Sequence, residues 1–166
     1  MIVLGVDPGT AATGYGVVDR GAAGTLRLVE CGVIRPKPGA PLAVRLETIF
    51  EELTALIARH GPDALAVESV FVAKNVRSAL VLGHARGVIL LAAAQAGLEV
   101  AEYPPATIKK AVVGAGAATK LQVQQMVARI LRLRTPPEPS DAADGVAVAL
   151  THAMRAGRVL RRAVVG

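Results

Sequence analysis

Two short apolar runs that end on a carboxylate constrain this chain's fold more than any other feature. Ile2-Val-Leu-Gly-Val6 runs into Asp7, and Ala64-Leu-Ala-Val67 runs into Glu68. Apolar runs of this length, bounded by turn signals, read as buried strands. Asp7-Pro8-Gly9-Thr10 turns the chain after the first. Gly14-Tyr15-Gly16-Val17-Val18 resumes an extended pattern, and Leu26 to Ile34 alternates with period two. The first three strands therefore read as an antiparallel meander.

Pro36, Pro38 and Pro41 mark a loop. Leu42, Leu46, Ile49, Phe50, Leu53, Leu56 and Ile57 then recur at helical spacing, with Arg45, Glu51, Glu52 and Arg59 on the opposite face. Gly61-Pro62 stops that helix. A helix is predicted over 75–96, where Ala79, Gly83 and Gly87 form a stripe of small side chains suited to close packing, within the monomer or across a dimer. Leu98–Tyr103 reads as a fifth strand, 105–113 as a short helix, Gly114–Ala118 as a flexible joint, and Leu121–Leu133 as another helix. Ser140 is placed as the N-cap of a last helix running to about Arg155. The order βββαβαβααα predicts an α/β fold, a mixed sheet with helices on both faces, in one domain over 1–157. Residues 158–166 are expected to form a basic, loose tail.

Composition narrows the function. One cysteine, Cys31, excludes an intramolecular disulfide framework and any multi-Cys zinc site, and a cytoplasmic setting is the natural reading. Cys31 itself reads as a small buried hydrophobe. No uninterrupted apolar stretch of about 18 residues is present, so no membrane segment is expected. Residues 1–73 hold 6 basic and 8 acidic side chains, whereas residues 74–166 hold 13 basic and 5 acidic. That asymmetry, with a pI near 10.1, points to a polyanionic partner.

Carboxylates carry the chemistry. Asp7 and Glu68 end apolar strands; if those strands are neighbours ending at one edge, the two side chains converge. Asp141 and Asp144 stand at i and i+3 near a helix start and can face one way. Taken singly, Asp7 could open a turn, Glu68 could meet solvent, and Asp141 could complement the helix dipole. Clustered carboxylates repel and want a hard cation, Mg²⁺ or Mn²⁺. Two such ions can activate a water and stabilise a leaving oxygen in phosphodiester hydrolysis. His84 and His152 lie inside helices with no partner at metal spacing, His60 sits at a helix C-terminus, and Tyr15 reads as structural.

Val6-Asp-Pro-Gly9…Gly14-Tyr-Gly-Val17, Ala66-Val-Glu68…Val70-Phe-Val-Ala-Lys-Asn75, Ser78-Ala-Leu…Leu82-Gly-His-Ala-Arg-Gly87, Lys110-Ala-Val-Val-Gly114…Lys120-Leu-Gln-Val-Gln124 and Asp141-Ala-Ala-Asp144 resemble the RuvC family of bacterial Holliday-junction resolvases. The match runs from residue 2 to about 153 in order. The resemblance implies an RNase H-like fold, a five-stranded mixed sheet in a three-layer α/β/α arrangement. It implies a homodimer that nicks two opposing strands of a four-way DNA junction, leaving 5′-phosphate and 3′-hydroxyl ends. Asp7, Glu68, Asp141 and Asp144 are carried over as metal ligands for Mg²⁺, two per site, with Mn²⁺ as a substitute. Lys109 and Lys120 correspond to lysines near the scissile phosphate, Lys120 being counted as catalytic. Phe71 corresponds to an aromatic that stacks on bases. Lys74, Asn75, Arg77, Ser78 and Lys110 are further expected DNA contacts, and the RuvA and RuvB branch-migration proteins are expected partners.

Two other classes compete. An actin-like phosphate-binding module would use the Asp-Pro-Gly turn, but needs a second domain. A non-catalytic junction-binding protein would not need four carboxylates at one edge.

Overall fold

Alternation along the strands decides which side chains can meet. In a computed structural model that describes residues 1–69 and 76–164, with side chains through residue 156, five strands form one sheet. They are β1 (Ile2–Asp7), β2 (Thr13–Arg20), β3 (Leu26–Ile34), β4 (Ala64–Glu68) and β5 (Glu99–Tyr103), in the spatial order β3-β2-β1-β4-β5. The pairs β1–β2 and β2–β3 are antiparallel, and β1–β4 and β4–β5 are parallel. Phe71, Lys74 and Asn75 lie outside the described residues.

Successive side chains point to opposite faces of a strand. On one face, Leu4, Val6, Val17, Leu65 and Val67 pack under α1 (Leu42–His60) and α2 (Val76–Gln95). On the other, Val3, Val18 and Ala66 pack under α3 (Pro105–Val113), α4 (Lys120–Ile130) and α5 (Ser140–Val164). The chain is thus the three-layer α/β/α sandwich of the RNase H-like class. Parity carries through to the strand ends: Asp7 falls on the face of Val3, and Glu68 on the face of Ala66. Both acids therefore point towards α5.

Glycines bring α5 unusually near. Gly5, Gly14 and Gly16 share the α5 face of neighbouring strands, with Gly5 opposite Gly16 and Asp7 opposite Gly14. A Cβ on Gly14 would overlap the Asp141 carbonyl, and one on Gly145 would come 2.5 Å from the Tyr15 backbone. The helix lies in this groove along Asp141, Gly145 and Ala149, a four-residue spacing that keeps one side of it against the sheet. Ala142, Ala143, Val146, Ala147, Val148, Ala149, Leu150 and Ala153 are buried around it.

Several boundaries differ from expectation. Helix α5 continues to Val164, well past Arg155, so the segment read as a loose tail is helical through Val164. Ser140 is its first residue rather than the residue before it. Helix α4 ends at Ile130, short of Leu133, where Arg132 takes a left-handed φ of 55°. Thr119 caps α4 through a reciprocal box with Gln122, and Gly114 closes α3. By length and composition α2 could cross a membrane. Arg77 and Arg86 interrupt it, however, and it packs on α1 and β5. Cys31 is half-buried, not fully enclosed. His60 gains a partner unseen in the sequence, with its Nε2 2.8 Å from Glu30 Oε2. Glu30 also accepts from the Tyr15 hydroxyl at 2.8 Å, which pins α1 to the meander.

Candidate active site

The Asp7-Pro-Gly-Thr turn is held in place from within. Buried Thr13 donates to the Gly9 carbonyl at 2.6 Å and accepts from the Gly9 amide at 3.4 Å. The first residue of the turn is therefore fixed at the sheet edge. Because β1 and β4 are parallel and adjacent, Glu68 leaves the same edge beside Asp7. Asp141 and Asp144 arrive at that edge on the first turns of α5.

Asp7, Glu68 and Asp144 line one cleft of about 250 Å³, together with Lys109 and Lys120. Lys120 Nζ donates to Asp144 Oδ2 at 2.6 Å and lies 3.8 Å from Asp141 Oδ1. Asp141 stands at the rim, its Oδ2 3.9 Å from Arg35 Nη2. Burial pushes the Asp7 carboxyl up to about 7, and the negative charges of Glu68 and Asp144 push in the same direction. Glu68 is raised as well, first by burial and then by Asp144, with Lys109 and Lys120 opposing. The hydrogen bond to Asp144 raises Lys120 and keeps it charged. The cleft thus holds more negative charge than two lysines neutralise.

All-oxygen donors under mutual repulsion suit a hard divalent cation. Among the described residues, however, no group of three or more Asp, Glu, His or Cys side chains is arranged to hold a metal ion. Lys120 stands between the acids of α5 and the strand acids, so it must swing aside for all four oxygens to share a cation.

The expected DNA contacts divide. Lys109 is half-buried in the cleft beside Glu68, whereas Lys110 is exposed and takes no part in it. Arg77 and Ser78 line a separate cleft with Thr10. Sequence reasoning missed Arg35. Its signal was available: β3 runs parallel to β1 across the meander, so a cation directly after Ile34 leaves the sheet at the edge of Asp7.

Comparisons with known proteins bear on the family and the fold. The family model for crossover junction endodeoxyribonuclease RuvC matches residues 3–152. A crossover junction endodeoxyribonuclease RuvC from Pelotomaculum thermopropionicum is 54% identical over 153 residues, covering 92% of this chain and 93% of that protein. The solved RuvC structure of Thermus thermophilus superposes with a TM-score of 0.87 at 38% identity, covering 95% of this chain and 96% of the other. The same bacterium's RuvC in complex with a Holliday junction substrate gives a TM-score of 0.86 at 36% identity, with the same coverage.

Proposed function

This chain belongs to the RuvC family of crossover junction endodeoxyribonucleases, and we propose that it resolves four-way DNA junctions at the cleft between Asp7, Glu68 and Asp144. The observation that carries this reading is the convergence of carboxylates from β1, β4 and α5 beside two lysines. Asp7, Glu68, Asp141 and Asp144 are the residues that would hold two Mg²⁺ ions, with Mn²⁺ as a substitute; bound there, the metal would supply Lewis-acid activation of a water and stabilisation of the leaving oxygen. The carboxylates repel a bare phosphodiester, so their part would be to hold the metal at the sheet edge, and the cations Lys109 and Lys120 are the side chains of the cleft that attract the phosphate. Lys120, freed from Asp144, offsets charge on the reacting phosphate, and Lys109 does so from the α3 side. Hydrolysis leaves a 5′-phosphate and a 3′-hydroxyl.

Two equal strands require two equal sites, which a two-fold dimer supplies. Helix α2 offers the face. Gly83 and Gly87 have open space where a Cβ would stand, and Leu80 and Leu91 are exposed beside them. Leu46, Ala79 and Val88 line the same shallow groove. A second copy of this helix fits such a small-residue stripe. Leu80→Glu is expected to yield a monomer in sedimentation, and its cuts to lose their pairing. A variant that remains dimeric removes α2 from the interface. The working context is the cytoplasm, alongside RuvA and RuvB.

One gel tests the function. A labelled mobile four-way junction and a matched linear duplex are incubated with Mg²⁺ or with EDTA. Paired, ligatable nicks in the junction alone, absent with EDTA, are expected. Binding without cutting in either Mg²⁺ or Mn²⁺ refutes the enzyme. Lys120→Ala is expected to slow single-turnover cutting about 10²-fold while leaving junction affinity nearly unchanged. Unchanged cutting would make Lys120 a counter-ion only.

A further inference from the structure

The lysines of the cleft sit on the α5 face of the sheet, and a second group of cations gathers at the same edge on the opposite face. Arg45, in the first turn of α1, reaches under the Asp7-Pro-Gly-Thr turn, its Nη1 3.5 Å from Thr10 Oγ1. Thr10 in turn lines a cleft of about 340 Å³ with Arg77, Ser78, Val81 and Leu82 of α2. Among the described residues, neither Arg45 nor Arg77 lies within ion-pair distance of a carboxylate, whereas Arg35, Arg59 and Arg86 each do. The Nε of Arg45 is buried and has no hydrogen-bond acceptor. The Arg86 Nε is likewise buried and without an acceptor although Arg86 is ion-paired, so what an anion in this cleft meets is the Nη end of Arg45 beside Thr10 and the exposed Arg77 guanidinium. Thr10 follows Asp7 by three residues, so its Cα lies within about 11 Å of Asp7 Cα. An anion in this cleft therefore sits within a nucleotide or two of the reacting phosphate.

We propose that Arg45, Thr10 and Arg77 form a phosphate-binding subsite that grips the cleaved strand on the α1/α2 side, opposite Lys109 and Lys120. The strand then crosses the sheet edge between two cationic groups, one on each face. Phosphate contacts of this kind fix register without reading sequence. The subsite rests on the junction-cleaving function, and its test separates the two.

Junction binding is measured in EDTA across a salt series for the wild type, Arg45→Ala, Arg77→Ala and Arg77→Lys, with a melting curve for each. Every lost phosphate contact lowers the slope of log affinity against log salt by about 0.9. Each alanine variant is expected to lose about one such unit and to bind about tenfold more weakly at low salt. Arg77→Lys is expected to keep most of the slope. Arg77 is exposed at the start of α2, so Arg77→Ala decides the matter if Arg45→Ala melts early. A second probe is a set of junctions, each with one neutral methylphosphonate beside the cut. One position is expected to weaken the wild type but not the Arg45→Ala/Arg77→Ala double variant. Unchanged salt slopes, or identical methylphosphonate profiles, overturn the subsite. Failure of the wild type to cut the junction overturns the function itself.

Discussion

Asp7→Asn is expected to make the protein more stable while abolishing cleavage. Burial and the charges of Glu68 and Asp144 hold Asp7 near a pKa of about 7, against 3.8 as its ordinary value. A folded-state pKa above the unfolded one means that the native protein binds the extra proton between those limits. The stabilising effect of that proton is complete below about pH 4 and is lost as pH rises through 7. Ionised Asp7 therefore costs the fold up to about 4 kcal/mol at pH 8. An amide of the same shape removes the charge. In EDTA the variant is expected to melt up to about 8–16 °C above the wild type at pH 8, and close to it at pH 4. Calorimetry at the two pH values reads the difference directly. Mg²⁺ is expected to raise the melting temperature of the wild type more than that of the variant. Equal melting temperatures at pH 8 would contradict the burial of charge at this position. Cleavage is expected to fall below detection, with junction binding retained; loss of both together would make Asp7 structural as well as catalytic.

The largest loss of stability is expected from Gly5→Ala. A methyl there would overlap the Gly145 carbonyl and the Ala149 amide and lie 2.7 Å from Ala149 Cα, all of it backbone in the middle of α5. No side chain can rotate away, so α5 must lift from β1. A cost of about 3 kcal/mol or more follows, at the upper end for a single added methyl in a packed interior. Denaturant unfolding measures it. Gly116→Ala is the control, since a methyl there would come no nearer than 3.5 Å to its neighbours, the Ala106 carbonyl oxygen being the nearest, and it lies outside the α2 face. That change is expected to leave the unfolding free energy within about 0.5 kcal/mol of the wild type. If Gly5→Ala unfolds at the wild-type denaturant concentration, the close seating of α5 on the sheet is wrong.

Much of this site is legible in the residues alone. The strands announce themselves as apolar runs, and their terminal acids are fixed to one face by simple alternation. The element order then leaves few ways to arrange five strands, and the acids meet. What stays hidden depends on distance in three dimensions. Gly5, Gly14, Gly16 and Gly145 are scattered along the chain, and nothing local marks them as one groove. Arg35 meets Asp141 only because the meander returns β3 to the direction of β1. Local overrides explain the helix ends. Arg132 takes a left-handed conformation usual for glycine or asparagine, and that stops α4 early. Beyond Arg155 the single Gly157 reads as a helix stop, but no proline follows it, and the run Arg158-Val-Leu-Arg-Arg-Ala-Val consists mostly of good helix formers, so the helix carries on through the glycine.

The seating of α5 also has a consequence in time. Asp7 belongs to β1 and is therefore synthesised well before α5, which carries Asp141 and Asp144. Until that helix emerges, the glycine groove of β1 and β2 is uncovered and half of the carboxylates are missing. In the proposed site, a chain made only as far as α4 lacks two of its four acids and is expected to be unable to cut DNA, so the seating that closes the core is also the step expected to complete the nuclease.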